Sequence, residues 1–295
     1  MKIISHAMKA FVTHQKDLGL VRERQEDQCI SYSGPNGAIL IVSDGMGGHA
    51  GGNLASDAAV TQANQILARW MNTGQIDKVS SDKLKVIGLN EAPPTVQEWI
   101  HTEEAETQTP EVNIPKRDEI RQLIEAIFIQ AQNAVTELAV QNPQEAGNAG
   151  CTLTVAILRE GWIHVAHIGD SRAYLLRKGT LEPLTVDHSG AMLLVTAGIL
   201  TPEEARNHPE SHRLYRFLGI NAPELAIDLY HEPAQANDIL MLCSDGLWGM
   251  VEDEQMVALL TQHSGLEQAS AALIRAANAN GGDDNISLSL AQLST

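Results

Sequence analysis

The sequence predicts an α+β fold in which two groups of strands are covered by paired helices. Strand-like apolar runs, bounded by Gly, Pro, Asn and Asp, occur towards both ends of the chain. Two long segments between them repeat apolar residues at helical spacing. Because helices and strands do not alternate one by one, an α+β sandwich is favoured over a doubly wound βαβ fold. The 295 residues, 43% of them hydrophobic, can bury one sizeable core, so we expect a single domain over residues 1–295.

The first predicted strands surround a polar segment. Lys9 to Ser33 reads as two short strands with a charged run, Arg22 to Asp27, between them. Such a run is too polar for a core, so it is exposed or faces a site. Pro35-Asn36-Gly37 then separates two apolar runs, which indicates a hairpin. The hairpin would bring the acids of the charged run close to Asp44, which ends the second apolar run.

A strand that ends in an acid and a glycine-rich loop is the most informative stretch. Ile39 to Val42 leads to Asp44, and five glycines follow by Gly52. Glycines let the backbone approach another group closely, although a plain Asp-Gly turn is the alternative. Asp245 ends another apolar run in the same Ser-Asp-Gly sequence, and Asp283-Asp284 precedes the last strand-like segment. Three separated carboxylates at strand ends suggest a metal site.

Helical periodicity predicts two long helices, over Asn53 to Met71 and over Asp118 to Gln141. Between them, residues from about 72 to 117 carry four prolines and an acidic run. This composition indicates an insertion of mostly loop character. We interpret it as a solvated segment, and a docking surface that uses Trp99 and Ile100 is the alternative.

The second half of the chain returns to strand patterns. Thr152 to Leu158, Trp162 to Ile168 and Arg172 to Leu176 are predicted to form an antiparallel meander. Residues from about 184 to 218 contain two helix-like pieces among His, Pro and Gly, and we interpret them as a mobile flap. The remaining predicted elements are strands over Leu225 to Tyr230 and Asp238 to Ser244, helices over Glu254 to Gln262 and Leu266 to Ala279, and a closing strand over Asn285 to Leu290.

Charge and cysteine content limit the class of protein. A formal net charge of -17 argues against a nucleic-acid or anionic-membrane surface, since those partners require basic patches. Cys29, Cys151 and Cys243 lie in apolar runs at spacings that fit no zinc or disulfide pattern, so we expect buried thiols in a reducing compartment. No apolar stretch is long enough to span a bilayer, and Met1 to Met8 lacks the apolar core of a signal peptide. We therefore expect a cytoplasmic protein.

The acids at the strand ends favour a hard cation. Carboxylates without His or Cys partners at ligand spacing select Mg²⁺ or Mn²⁺ over zinc. Two such ions, about 3.5–4 Å apart, can share a carboxylate and activate a water for hydrolysis of a phosphate ester. The phosphate also needs a cation held by the protein, and the guanidinium of Arg22 is the candidate. An ordinary surface ion pair of Arg22 with Glu23 or Glu26 is the alternative.

Seven short blocks occur in a fixed order between residues 19 and 287. The blocks are Gly19-Leu20-Val21-Arg22 with Gln25-Glu26-Asp27; Ser43-Asp44-Gly45-Met46-Gly47-Gly48; Gly150-Cys151-Thr152; Gly169-Asp170-Ser171-Arg172-Ala173-Tyr174; Leu184-Thr185-Val186-Asp187-His188-Ser189; Cys243-Ser244-Asp245-Gly246-Leu247-Trp248; and Asp284-Asn285-Ile286-Ser287. Each block is weak alone. Together they resemble the PPM-type metal-dependent serine/threonine protein phosphatases, also called the protein phosphatase 2C family, in their bacterial form.

The resemblance implies a four-layer αββα sandwich, with two packed antiparallel sheets, helix pairs on the outer faces and metals at one end. It implies that Asp44 bridges two metal ions and that Gly45 offers its carbonyl oxygen to one of them. Asp245 and Asp284 would complete the first ion's ligands. Asp284 is chosen over its neighbour Asp283 because it directly precedes the asparagine of the family block.

The remaining site assignments also follow from the resemblance. Glu26 would serve the second metal directly or through water, and Asp27 would orient metal-coordinated water. Asp170 resembles the ligand of a third, weaker metal in bacterial members. Arg22 would hold the substrate phosphate.

The general acid is less defined. Animal members have a histidine directly after the metal-binding Asp-Gly, where this chain has Met46. His49 is the candidate acid, and a loop histidine that hydrogen-bonds the glycine turn is the alternative. His188 and a metal-coordinated water are the other possible acids.

The implied function is metal-dependent hydrolysis of phosphoserine and phosphothreonine in proteins, with Mn²⁺ or Mg²⁺ as cofactor. The partners would be phosphoproteins, and the enzyme would be a monomer that opposes a serine/threonine kinase. A pseudophosphatase that binds phosphoproteins and a phosphatase for small phosphoesters are the alternatives. Because every implied metal carboxylate is present in the chain, an active phosphatase is favoured over a pseudophosphatase.

Overall fold

The computed structural model of the chain describes residues 9–34, 37–47, 51–76, 79, 84–88, 114, 116–222 and 225–294. Its strands form two large sheets and one small sheet. The first large sheet has the strand order β2 (Gln28–Gly34), β3 (Gly37–Ser43), β7 (Leu153–Arg159), β8 (Trp162–Ile168), β12 (Leu225–Pro233) and β5 (Leu84–Gly88). The second has the order β1 (Lys9–Asp17), β14 (Ile286–Ser294), β13 (Ile239–Cys243), β9 (Arg172–Arg177) and β10 (Thr180–Pro183). The small sheet contains β11 (Leu218–Gly219), β6 (Gly150–Cys151) and β4 (Gly45–Met46).

Long helices cover the large sheets. The described helices are α1 (Gly51–Thr73), α2 (Arg117–Gln141), α3 (Pro143–Ala146), α4 (Gly190–Thr196), α5 (Pro202–Arg206), α6 (Asp245–Trp248), α7 (Asp253–Gln262) and α8 (Leu266–Ala279). In the described residues, no helix combines the length and the apolar character that a membrane crossing requires.

Three apolar clusters hold the sheets and helices together. Ile39 and Ile41 of β3 pack in a cluster with α1 and α2, whereas Leu40 and Val42, on the opposite face of the strand, pack against the second sheet. A third cluster joins the second sheet to α7 and α8. Because β3 is covered on both faces, its sequence is a continuous apolar run. The predicted α+β class is confirmed.

Two predictions about strand pairing are wrong. β7 and β8 pair with each other, but the turn Gly169-Asp170-Ser171 carries the chain to the second sheet, where β9 pairs with β13. The predicted meander therefore divides between two sheets. The sheets are not wholly antiparallel, because β5 pairs in parallel with β12. β5 also lies within the segment predicted to be mostly loop.

Other local predictions hold. β2 and β3 pair antiparallel with Gly34 opposite Gly37, which confirms the hairpin, although Pro35 and Asn36 lie outside the described residues. The flap, residues 184–218, contains the two expected short helices, α4 and α5. All three cysteines are buried free thiols. Most of the 72–117 insertion, including Trp99 and Ile100, lies outside the described residues, and the single-domain organisation stays a prediction.

Candidate active site

A pocket of about 520 Å³ opens where strands of both large sheets end. The carboxylates that line it are Glu26, Asp44, Asp170, Asp245, Asp283 and Asp284. Its basic lining residues are Arg22, Arg206 and His212. Gly45 also lines the pocket, whereas Asp27 is buried behind it. The structure thus brings the acids predicted from separate strand ends into one place.

The loop after β3 places Asp44 through backbone contacts. The Asp44 N–H donates to Thr152 Oγ1 at 2.8 Å, and the Thr152 N–H donates to the Asp44 carbonyl oxygen at 2.8 Å. A Cβ atom on Gly45 would lie 2.2 Å from the Gly52 carbonyl oxygen and 2.6 Å from that of Glu26. Glycine at position 45 therefore allows the Glu26 segment and the start of α1 to close around the loop.

Asn285 joins two of the acidic segments. Its backbone N–H donates to Asp284 Oδ1 at 2.7 Å, and its side-chain Oδ1 accepts the Glu26 N–H at 2.7 Å. A Cβ atom on Gly246 would lie 2.0 Å from the Asn285 carbonyl oxygen, so the Asp245 segment also packs directly on this residue. The sequence blocks contain Asn285, but its role as a connector follows only from these contacts.

Asp27 and Asp170 are held by neighbours beside the pocket. The Ser244 hydroxyl donates to Asp27 Oδ2 at 2.6 Å, and the Trp248 indole N–H donates to the Asp170 carbonyl oxygen at 3.0 Å. Burial, followed by the charge of Asp245, raises the pKa of Asp27 to about 8. Burial and the same Asp245 charge also raise the pKa of Asp170 well above its ordinary value.

The acids of the pocket repel one another. Desolvation by burial, and then the charges of Asp27 and Asp245, raise the pKa of Asp44 well above the ordinary value. The pKa values of Glu26 and Asp284 are also raised, in both cases mainly by burial. Carboxylates gathered in this way need a cation to stay ionised together.

Two orphaned oxygen atoms indicate where that cation would bind. Within the described residues, Glu26 Oε1 and Asp245 Oδ1 are buried and have no hydrogen-bond partner. Arg22 Nη2 lies 2.6 Å from Asp284 Oδ2 and so neutralises a third acid. No three His, Cys, Asp or Glu side chains of the described part already converge on one point as a metal shell. The oxygen donor set fits Mg²⁺ or Mn²⁺, but Asp284 would have to exchange Arg22 for the ion.

Sequence and structure comparisons decide the family. A family model for protein phosphatase 2C matches residues 21–288. The chain belongs to the protein phosphatase 2C family. The predicted family and the assignment as a phosphatase enzyme are therefore confirmed.

The protein phosphatase 2C relatives match over nearly the whole chain. The serine/threonine phosphatase Stp of Listeria welshimeri is 31% identical over 94% of this chain and 93% of its own length. The crystal structure of the Mycobacterium tuberculosis serine/threonine phosphatase PstP/Ppp has a TM-score of 0.73 at 29% identity and covers 97% of this chain and 99% of its own. The catalytic domain of PstP in complex with two manganese ions has a TM-score of 0.70 at 28% identity and covers 98% of this chain and 100% of its own.

His212 also lines the pocket of this protein phosphatase 2C chain, although the sequence did not identify it as a candidate site residue. It lies on the flap, and its Nδ1 atom is 3.7 Å from Asp245 Oδ2. Interaction with the Asp245 carboxylate raises the pKa of His212. The histidine stands between two sequence blocks without a motif of its own, so only the folding of the flap over the pocket reveals it.

Two histidines, His49 and His188, are the candidates for the general acid of this protein phosphatase 2C chain. His49 lies outside the described residues. His188 is 1% exposed and does not line the pocket. Its Nδ1 accepts the Gly169 N–H at 3.0 Å, and its Nε2 lies 3.1 Å from Asp228 Oδ2. Both ring nitrogens are thus engaged, and His188 cannot reach a leaving group.

Proposed function

We propose that this protein hydrolyses phosphoserine and phosphothreonine in proteins at a divalent metal centre in the acidic pocket. The observation that carries the proposal is the group of mutually repelling carboxylates with orphaned oxygens on Glu26 and Asp245. PstP, a relative with the same fold, binds two manganese ions, which supports a centre with two ions here. Bound there, Mn²⁺ or Mg²⁺ would act as a Lewis acid and make water nucleophilic near neutral pH.

The residues that would hold the ions come from five segments of the chain. On this proposal, Asp44 would be a ligand of both ions, the carbonyl oxygen of Gly45 would be a further ligand, and Asp245 and Asp284 would hold the first ion. The other proposed contributors are Glu26 at the second ion, Asp27 through water and Asp170 at a weaker third ion. The turns beside Asp44 and Asp284 are held by hydrogen bonds, so the backbone that carries these two acids is ordered before the metal binds.

Arg22 would bind the substrate phosphate. Its side chain is 49% exposed at the pocket and pairs with Asp284 at 2.6 Å. An exposed ion pair of this kind stabilises the protein by at most about 1 kcal/mol, so the guanidinium can exchange Asp284 for a phosphate. The planar fork then matches two phosphate oxygens and orients the ester for attack.

The substrates would be phosphoproteins, and the enzyme would act as a monomer opposite a serine/threonine kinase. A phosphoprotein-binding pseudophosphatase is less well supported, because no proposed carboxylate is replaced in this chain.

The test uses a phosphothreonine peptide and a measurement of metal binding. We expect hydrolysis with Mn²⁺, loss of hydrolysis in EDTA, and recovery after Mn²⁺ is restored. Mn²⁺ should also raise the unfolding temperature of the wild type but hardly that of Asp44→Asn. Asp57→Asn, which changes an exposed acid of α1, is the matched control and should retain both responses. Full hydrolysis in excess EDTA would contradict the proposal.

A further inference from the structure

The loop between β1 and β2 exposes three large apolar side chains. Leu18, Leu20 and Val21 are 40%, 69% and 64% exposed. A single exposed apolar residue is normal on a protein surface, but three within four positions form a patch. We call these three residues the apolar ledge.

The backbone of the apolar ledge is held firmly. The Leu20 N–H donates to the Gly282 carbonyl oxygen at 2.7 Å, and the Asn285 side chain donates to the Leu18 carbonyl oxygen at 2.9 Å. Gly19 between them adopts a φ of +78°, and a Cβ atom there would lie 2.2 Å from the Asp284 carbonyl oxygen. The three side chains are therefore held at the surface by an ordered turn, and this turn requires glycine at position 19.

The apolar ledge adjoins residues that line the pocket. Val21 directly precedes Arg22, whose guanidinium lies at the pocket beside Asp284. The hydrogen bond from Leu20 reaches the segment that continues into Asp283 and Asp284, which also line the pocket. The ledge and the proposed phosphate-binding group thus share one turn and one neighbouring segment.

We propose that the apolar ledge binds an apolar side chain of the phosphoprotein substrate close to the phosphorylated residue. This inference rests on the proposed function and adds a specificity determinant to it. A bound extended peptide advances about 3.3 Å per residue, and Val21 is one residue from Arg22, so the apolar side chain should lie within about three positions of the phosphothreonine.

A second copy of the chain is a poorer occupant for the apolar ledge. A stable protein interface buries about 800 Å² on each partner, far more than three side chains supply. A single substrate side chain matches the size of the ledge, and the phosphate in the neighbouring pocket would supply the rest of the binding. Recognition by the ledge would therefore appear as a preference among phosphopeptides.

The experiment places leucine in turn at each of the three positions on either side of phosphothreonine in a serine-rich peptide. For the full chain with Mn²⁺, we expect one leucine peptide to exceed the serine peptide about five- to tenfold in kcat/KM, as partial burial of one side chain provides. The double substitution Leu20→Ser with Val21→Ser should reduce this ratio to below about twofold. Leu20→Met with Val21→Ile should retain the ratio, because these side chains remain apolar.

Val140→Ser is the matched control, because Val140 is also 64% exposed but lies on α2. It should leave the leucine preference unchanged. If the wild type hydrolyses the peptides without a leucine preference, or the serine variant keeps that preference, the ledge proposal is overturned and the proposed function stands. The ledge proposal would also be overturned if light scattering showed that the wild type is a dimer and the serine variant a monomer, with the leucine preference unchanged. A wild type that hydrolyses no phosphopeptide with Mn²⁺ would instead overturn the proposed function.

Discussion

Replacement of His188 by alanine should destabilise the protein and weaken the binding of Mn²⁺ in its pocket. His188 connects the flap to the turn that carries Asp170. Its ring Nδ1 accepts the Gly169 N–H at 3.0 Å, and its backbone N–H donates to the Gly169 carbonyl oxygen at 2.7 Å. Because Nδ1 accepts a hydrogen bond, the neutral ring carries its proton on Nε2 and donates it to Asp228, 3.1 Å away. Asp228 also accepts from Arg216 at 3.0 Å, so the aspartate keeps a partner after the substitution.

The size of the effect follows from which groups lose their partners. Alanine leaves the buried Gly169 N–H without an acceptor, which costs about 1–3 kcal/mol, and removes a hydrogen bond to Asp228 worth about 1 kcal/mol. The space left by the imidazole adds to the loss, so we expect a decrease of about 3–5 kcal/mol in the free energy of unfolding. His188→Asn retains an acceptor near the position of Nδ1 and should lose about half as much.

The assay is urea unfolding of each variant, combined with kcat/KM for an aryl phosphate at several Mn²⁺ concentrations. His188→Ala should need more Mn²⁺ for half activation, because the turn at Asp170 is loosened, and His188→Asn should restore much of the wild-type response. The half-buried His263 at the end of α7 provides the control substitution to alanine. A loss of less than about 1 kcal/mol with an unchanged Mn²⁺ response would refute the reasoning.

Three further predictions concern the pocket. Asp44→Ala, Asp245→Ala and Asp284→Ala should each abolish phosphopeptide turnover with the circular dichroism spectrum retained, and near-normal turnover would remove that residue from the proposed ligands. Arg22→Ala should raise KM more than it lowers kcat, as expected for a group that holds ground-state phosphate, whereas an unchanged KM would favour a surface ion pair. Asp27→Asn should stabilise the chelated protein more at pH 8 than at pH 5. The folded-state pKa of Asp27, about 8 against an ordinary 3.8, makes its contribution to stability fall as pH rises between those values. Equal stabilisation by denaturant unfolding at both pH values would contradict this assignment.

Local patterns in the sequence predicted several elements closely. Helix α8 has the predicted bounds, Leu266 and Ala279, because its apolar residues face one sheet along their whole length. Strand β8, Trp162–Ile168, also has the predicted bounds. Both elements are long enough for their periodicity to report which side is buried. Asp44 and Asp245 could be named for a related reason, since each stands beside glycine at the end of a strand.

Pairing between distant segments could not be predicted in this way. The hydrophobic pattern of a strand shows whether one face or both faces are buried, but it does not identify the neighbouring strand. β9 therefore looked like the third strand of a meander, although its partners are β10 and β13 of the other sheet. β5 was missed because five residues at the edge of a sheet carry too little periodicity to be distinguished from a loop.

The sequence by itself determined the fold class, the family and the set of candidate acids, because these depend on short blocks whose residues are neighbours in the chain. Only the tertiary structure decided which side chains meet. It buried His188 away from the pocket, brought His212 to Asp245, and held the backbone of the apolar ledge against Gly282 and Asn285. Each of these contacts joins residues far apart in sequence, and their proximity is fixed by the packing of the sheets and the flap rather than by any local pattern.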